Sequence, residues 1–326
     1  MYFYFSPSTD PTFNLAMEEY LLTRKSGDIF FLWRNAPSII IGRNQNAYSE
    51  INLDYVNRRG IPVVRRITGG GAVFHDLGNV NFSFITDVRE GEELSFARFT
   101  APIIGYLRSL GIAAQLSGRN DIGIDGKKVS GNAQTMVGSR FLHHGTLLYE
   151  VGMTDLTDAL KVHPLKIQSK GIASVRARVS NISEHLARPM AVEAFMQGLA
   201  EYIRGLGEAF TACRFTEQDN EAAKALQEQK YGRWAWNFGE NPSYAFYKAA
   251  KFEAGLMEIQ MNVSRETIED IRINGDFFAF GDMRELEARL RGLPHRREAI
   301  AAALCDVSLE NYIGAITAEQ LIETMF

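Results

Sequence analysis

Apolar and polar positions change their period several times along the chain, and each change marks an element. Asp10-Pro11 offers a helix N-cap with a proline in the first turn. Leu15, Tyr20 and Leu21–Leu22, with Ala16 and Glu18–Glu19 between them, predict a helix to about Arg24. Tyr2 to Phe5, Ile29 to Trp33 and Ser38 to Ile41 read as strands, the last two parted by the turn Asn35-Ala36-Pro37. Gly42 to Asn46 is a polar break after a buried-type strand, a good place for a binding loop. Asn52 to Arg59 predicts a helix closed by Gly60, and Ile61 to Arg66 a strand running straight into Gly69-Gly70-Gly71. Val80, Phe82 and Phe84 alternate with Asn79, Asn81 and Ser83, the pattern of a half-buried strand. Phe96 to Leu110 is an amphipathic helix ending at Gly111. Asp125-Gly126 separates two strand-like runs, 120–124 and 127–130, which predicts a hairpin. Leu142 to Tyr149 is a further strand that begins with His143-His144.

Farther on, residues 154 to 161 look helical and residues 165 to 180 are basic and irregular, with Lys166, Lys170, Arg176 and Arg178. Ala191 to Leu206 predicts a helix stopped by Gly207, and Thr216 to Lys230 a polar helix. Tyr231 to Tyr244 is rich in turn formers and aromatics and reads as a domain connection. Lys251 to Val263 and Ile268 to Phe278 then read as two strands, followed by helices near Met283–Leu290, His295–Leu304 and Ala318–Phe326. Many strands with fewer helices, out of strict βαβ order, argue for an α+β fold rather than a doubly wound one. The expected domains are residues 1–244 and 245–326.

Composition narrows the class. The chain has 326 residues, 46% of them hydrophobic and 23% charged, as in an ordinary globular protein with a sizeable core. A net charge of −4 argues against a broad nucleic-acid surface. Cys213 and Cys305 give neither a disulfide framework nor a metal spacing. No signal-peptide pattern and no run of membrane-spanning length is present, so a cytoplasmic protein with no membrane partner is expected.

The chemistry concentrates in RRITGGGAVFHD, Arg65 to Asp76. Glycine-rich backbone lets a ligand approach closely, and successive amides can form an anion site beside arginine. The same glycines also suit a plain tight turn. Neither standard nucleotide fingerprint is present: there is no G-x-x-x-x-G-K-[ST], and GGGAVF lacks the last glycine of G-x-G-x-x-G. Lys128, just past the hairpin turn, shares a strand face with Ser130, where an ammonium can stabilise charge developing on phosphate or acyl oxygen. Spacing alone does not single it out. His143 and His144 face opposite ways, one structural and one toward a pocket, and no dedicated protein cage for a metal is expected. Both cysteines read as inert.

Taken together, these stretches resemble a known family. RRITGGGAVFHD followed by GNVNFSF resembles the adenylate motif of lipoate–protein ligases, R-R-x-[ST]-G-G-G-A-V-[FY]-H-D, and GKKVSGNAQ resembles their lysine motif. HHGTLL, NLAMEEYLL and WRNAPSIIIGRNQNAYSEIN are similar to other segments of that family, and WNFGENPSY with KFEAGLMEIQMNVSRETIEDIRINGDFF resembles the bacterial accessory domain. The resemblance covers nearly the whole chain; Asn132 departs from the small residue common there. It implies a large catalytic domain of the biotin/lipoate-ligase kind, with mixed sheets and flanking helices, plus a small α+β C-terminal accessory domain. The implied enzyme uses ATP and Mg²⁺ to turn lipoate into lipoyl-adenylate. It then passes the lipoyl group to a lysine of lipoyl domains of 2-oxoacid dehydrogenase complexes or of the glycine-cleavage H protein. Carried over by position, Lys128 is catalytic and touches both substrates. Arg66, Gly71, Ala72, Val73 and Phe74 line the adenylate, and Thr68, Gly69, Gly70 and His75 surround the lipoyl arm and phosphate. Asn120, Asp121 and His144 are further candidates for that pocket, and only Arg66 of the arginine pair is expected to touch ligand. The basic stretch 166–178 is expected to meet acidic lipoyl domains, and a monomer is the expected state. The alternative within the fold is an octanoyltransferase or lipoyl amidotransferase, which needs a cysteine nucleophile. A biotin ligase would carry G-R-G-R-x-G, which is absent.

Overall fold

Sheet registry is set early, by strands β1 (Tyr2–Phe5), β2 (Ile29–Arg34), β3 (Ser38–Ile41), β4 (Val63–Arg65), β5 (Val73–His75) and β6 (Asn79–Asp87). They are followed by β7 (Gln115–Ser117), β8 (Asp121–Ile124), β9 (Lys127–Val137), β10 (Arg140–Leu148) and β11 (Thr211–Ala212), and β12 (Phe246–Phe252), β13 (Gly255–Ser264) and β14 (Thr267–Gly275) close the series. This computed structural model describes residues 1–88, 93–160, 178–207, 209–239 and 246–326. Its largest sheet runs β11-β1-β2-β6-β10-β9-β8-β7, mostly antiparallel, with parallel pairs only at the β11-β1-β2 end. A small sheet pairs β3 with β4 in parallel and with β5 antiparallel, and β12-β13-β14 form a separate antiparallel meander. The fold is α+β, as its element order predicts.

The large sheet is covered on both faces. Phe30, Leu32, Val80, Phe82 and Phe84 meet helices Phe96–Ser109 and Val192–Arg204 through Phe99, Ile103, Leu107, Phe195 and Leu199. On the other face, Phe31, Trp33, Ile85 and Leu142 pack under Leu15, Leu21 and Leu22 of α1 (Pro11–Arg24). Each fully buried side chain of this size contributes about 1.5–3 kcal/mol. Asp10 caps α1, accepting from the amides of Thr12 at 2.8 Å and Phe13 at 3.3 Å, and Pro11 occupies its first turn. A second, separate core gathers Met257, Ile259, Ile271, Leu286, Leu304 and Leu321 in the C-terminal part.

Three expectations change. β6 is buried on both faces, with Asn79, Asn81 and Ser83 as covered as its phenylalanines. Its polar face meets α1 and a cavity instead of water. The stretch 251–263 is not one strand: the chain turns at Glu253-Ala254, and Phe252 pairs with Gly255 in a hairpin whose first arm reaches back to Phe246. Tyr231 to Asn237 does not behave as a loose connection, because Tyr231 is fully buried and Trp236 and Asn237 grip β4.

Candidate active site

Where β5, β9, β10 and the glycine loop converge, they enclose a cavity of about 120 Å³. Its polar wall includes Arg66, Gly70, Gly71, His75, Asn81, Asn120, Lys128, Asn132 and His144, and its apolar wall Leu15, Trp33, Ile40, Ala72, Val73, Ala133 and Phe278. The volume falls below the roughly 300–1,000 Å³ usual for small-molecule sites. Phe278, from the C-terminal part, helps to close it. Its ring lies 4.4 Å from the Arg119 guanidinium and 5.6 Å from Phe96.

The two arginines have separate tasks. Arg65 donates to five carbonyls: Nη1 to Gly42, Arg43 and Gln45, Nε to Trp236 and Nη2 to Asn237, at 2.6–2.9 Å. It ties the Gly42–Asn46 break to the 236–237 segment and does not line the cavity. Arg66 lines it, but its guanidinium also holds the loop. Nη2 donates to Gly69 O at 2.7 Å and Gly71 O at 2.8 Å, Nη1 to Ile40 O at 3.1 Å and Nε to Thr68 Oγ1 at 2.9 Å. Burial lowers both guanidinium pKa values to about 10, which leaves both charged at neutral pH.

Each glycine answers a different need. A Cβ on Gly69 would lie 2.5 Å from the Phe277 carbonyl oxygen, so this glycine admits the C-terminal part. Gly70 has φ +93° and sits beneath Phe278. Gly71 has open space where a Cβ would go, beside the cavity. Among the described residues, the amides of Gly69, Gly70, Gly71 and Ala72 donate to no protein acceptor. A cluster of free amides is the electrostatic feature an anionic ligand needs.

His75 comes from β5 with its Nδ1 3.0 Å from Asn35 Nδ2, an amide that only donates. The proton therefore sits on Nε2, which is buried without a partner among the described residues. Burial, then Arg66 and His144, lower its pKa to about 3, so the ring is neutral at physiological pH. Asn81 Nδ2, Trp33 Nε1 and Asn132 Oδ1 are likewise buried without partners among the described residues, and all three residues line the cavity. Buried polar atoms of this kind normally find a partner, and a ligand is one way to supply it.

Lys128 reaches the cavity from the hairpin, whose turn residues Asp125 and Gly126 have φ 50° and 76°. Gly123 pairs with Lys128 but Ile122 with Ser130, so the register shifts and Val129 is an extra residue, buried in the core. Simple alternation therefore fails: Lys128 lines the cavity, while buried Ser130 accepts from Asn132 Nδ2 at 3.2 Å. Lys128 Nζ lies 2.8 Å from Asp121 Oδ1 and as close to the position a Gly131 Cβ would occupy. Asn120 and Asn132 exchange amide-to-carbonyl bonds of 2.7 and 2.9 Å that pin the strands.

The histidine pair divides between core and cavity, although His143 Nε2 is buried without a partner among the described residues. His143 stacks on Phe99 at 5.2 Å in the core, with burial pushing its pKa well down. His144 faces the cavity, with Nδ1 2.9 Å from Glu18 Oε1 and Nε2 2.8 Å from Thr68 Oγ1. Of the residues predicted to touch ligand, Arg66, Gly70, Gly71, Ala72, Val73, His75, Asn120, Lys128 and His144 share this one cavity. Phe74 does not line it: its ring points into the core with Ile39, Ile41 and Leu148 because its neighbours Val73 and His75 take the other face of β5. Thr68, Gly69 and Asp121 stand behind the wall. Basic residues 166, 170 and 176 lie outside the described residues. The sequence reading missed Trp33, Asn81, Glu18 and Phe278. The signal for Glu18 was available: Asn14 and Glu18 are one helical turn apart on the face that also buries Leu15, Leu21 and Leu22. For Phe278 there was none.

Known proteins resemble the chain in sequence and in fold. The family model of the lipoyl protein ligase A/B catalytic domain matches residues 10–204, and that of the bacterial lipoate protein ligase C-terminus matches residues 241–325. Lipoate–protein ligase 1 of Staphylococcus aureus is 46% identical over 319 residues, 97% of each chain. The structure of P. falciparum LipL1 in complex with lipoate superposes with a TM-score of 0.81 at 27% identity, covering 98% of both chains. A crystal structure of lipoate-protein ligase A bound with ATP matches with a TM-score of 0.62 at 28% identity, covering 71% of this chain and 94% of that one. On its sequence throughout and its fold, the chain belongs to the lipoate–protein ligase family.

Proposed function

We infer that the protein activates lipoate with ATP to lipoyl-adenylate and transfers the lipoyl group to a lysine of a lipoyl domain or of the glycine-cleavage H protein. The observation that carries this reading is one cavity in which Lys128 faces a glycine loop whose amides are unspent, beside an unpartnered His75 Nε2–H. Relatives with lipoate or ATP bound support the two substrates.

The chemistry follows from the groups present. A carboxylate that attacks an α-phosphate must overcome repulsion between two anions. Lys128 and the amides of Gly70 and Ala72 supply positive potential there. Lys128 leaves Asp121 for the ligand at little cost, since the pair is about one-third exposed. Leu15, Trp33, Ile40 and Ala133 offer the apolar surface that holds an aliphatic arm. The mixed anhydride hydrolyses readily, and Phe278 over Gly70 limits the entry of water. Among the described residues no group of three His, Cys, Asp or Glu can hold a metal, so Mg²⁺ would arrive on the phosphates of ATP. In the transfer step, the same Lys128 ammonium would stabilise the oxyanion as the acceptor lysine attacks.

We take residues 1–244 as the catalytic domain and 245–326 as the accessory domain, which the separate core of residues 254–325 supports. No helix among the described residues is long and apolar enough to cross a membrane; we take the protein as a cytoplasmic monomer that meets free acceptor domains. The octanoyltransferase and amidotransferase alternatives need a cysteine nucleophile, and neither Cys213 nor Cys305 lines the cavity. Lipoate-dependent ATP–pyrophosphate exchange, followed by a mass increase on an apo lipoyl domain, tests the reading. Lipoyl transfer from a donor protein without ATP would overturn it.

A further inference from the structure

We propose that Glu18 is a positioning residue for the glycine loop, acting through His144, Thr68 and Arg66. Its catalytic consequence rests on the ligase reading above; its structural content does not. Glu18 is fully buried on α1, and its Oε1 accepts from Ser83 Oγ and lies 2.9 Å from His144 Nδ1. His144 Nε2 lies 2.8 Å from Thr68 Oγ1, and Thr68 Oγ1 lies 2.9 Å from Arg66 Nε.

Counting donors gives the chain one order. Arginine only donates, so Thr68 Oγ1 accepts from Arg66 Nε. Thr68 is fully buried, and its hydroxyl proton has His144 Nε2 as acceptor. His144 must then carry its proton on Nδ1, where the Glu18 carboxylate receives it. The other tautomer would set the Nδ1 lone pair against Glu18 Oε1 and strand the Thr68 hydroxyl proton. The Glu18 bond would go unmade and the buried Thr68 proton would lack an acceptor, and each group left so carries its full desolvation cost.

The order reaches the ligand side through peptide geometry. Thr68 fixes the guanidinium plane of Arg66, whose Nη2 then collects Gly69 O and Gly71 O. In a trans peptide the C=O and the following N–H point in opposite directions. Anchoring Gly69 O and Gly71 O to Arg66 therefore turns the amides of Gly70 and Ala72 away from it. Those two amides have no protein acceptor among the described residues. Glu18, which does not line the cavity itself, thus sets the direction of two anion-facing donors.

The test uses the full chain with Glu18→Met, which keeps the length but removes the acceptor, and Glu18→Gln, which keeps an Oε1 acceptor. Long-range ¹H–¹⁵N correlation of the His144 ring reports the tautomer, and pyrophosphate exchange reports KM for ATP and kcat. The wild type and Glu18→Gln should show the Nδ1–H form. Glu18→Met should lose it and raise KM for ATP about 2- to 30-fold, the size of effect carried through a side-chain network of this kind. Thr68→Val, which cuts the chain on the other side, should raise KM similarly while His144 keeps Nδ1–H; it decides the matter if Glu18→Met does not fold. An Nε2–H form in the wild type, or unchanged KM in folded Glu18→Met or Thr68→Val, would overturn the proposal. Wild type without any exchange would instead sink the ligase reading, and the tautomers of the variants would still decide the role of Glu18.

Discussion

Gly69→Ala and Gly71→Ala add the same methyl two residues apart, and their surroundings make the outcomes opposite. At Gly69 the new Cβ would sit 2.5 Å from Phe277 O and 3.1 Å from Phe278 Cα. Carbon contacts are comfortable at about 3.5–4.0 Å, so backbone on the two sides must separate by roughly 1 Å. Overpacking of that kind costs about 1–3 kcal/mol. The contact that yields is the one between the parts of the chain: Gly275 N to Asn44 O at 2.7 Å and Arg119 Nη1 to Ala254 O at 3.0 Å. The undocked population should rise by about 5- to 150-fold. At Gly71 no heavy atom lies within 4 Å and the backbone is not left-handed, so alanine should stabilise the fold by about 0.4–1 kcal/mol. Its methyl would border the cavity and raise KM for the substrates. Hydrogen exchange of the Gly275 amide measures docking directly. It should accelerate by that 5- to 150-fold in Gly69→Ala and stay at the wild-type rate in Gly71→Ala. Equal protection in both variants, or a destabilised Gly71→Ala, would refute the reasoning.

Other expectations are as specific. Lys128→Ala should leave the melting temperature nearly unchanged, because the pair with Asp121, about one-third exposed, is worth about 0–1 kcal/mol. Pyrophosphate exchange should meanwhile fall about 100- to 1000-fold, and near-wild-type exchange would remove Lys128 from the mechanism. Arg65→Met should cost at least about 3 kcal/mol in urea unfolding, since it strands four carbonyls while Gly42 O keeps the Gln45 amide; a loss under 1 kcal/mol would count against the cage. His75 has a folded pKa of about 3 against about 6.5 unfolded, so the unfolded chain takes up its proton first. The stability from keeping the ring neutral is complete above about pH 6.5 and is lost as pH falls toward 3, by up to about 1.4 kcal/mol per pH unit. His75→Gln should flatten the dependence of stability on pH across that window, and an unchanged slope would contradict a buried neutral ring.

The sequence by itself determined the local elements and part of the cavity's lining. Asp10-Pro11 starts α1, Asp125-Gly126 turns the hairpin under Lys128, and period-two alternation assigns Val80, Phe82 and Phe84 to one face of β6. Each rests on forces within a few residues, namely capping, turn dihedrals and side-chain alternation, so each is legible locally. The adenylate motif likewise marked Arg66, Gly70, Gly71, Ala72, Val73 and His75, which line one cavity. Tertiary structure decided what those residues face. Only packing shows that the polar face of β6 is buried under α1, that Arg65 is spent on carbonyls and that Arg66 doubles as a scaffold. Only packing gives Gly69 to the C-terminal part, Gly71 to the cavity, and Phe278 a place in the wall some two hundred residues from the loop it covers. The physical reason is common to these cases. Whether a polar group faces water, a protein acceptor or an empty cavity depends on atoms brought close by the fold, and no spacing along the chain records them.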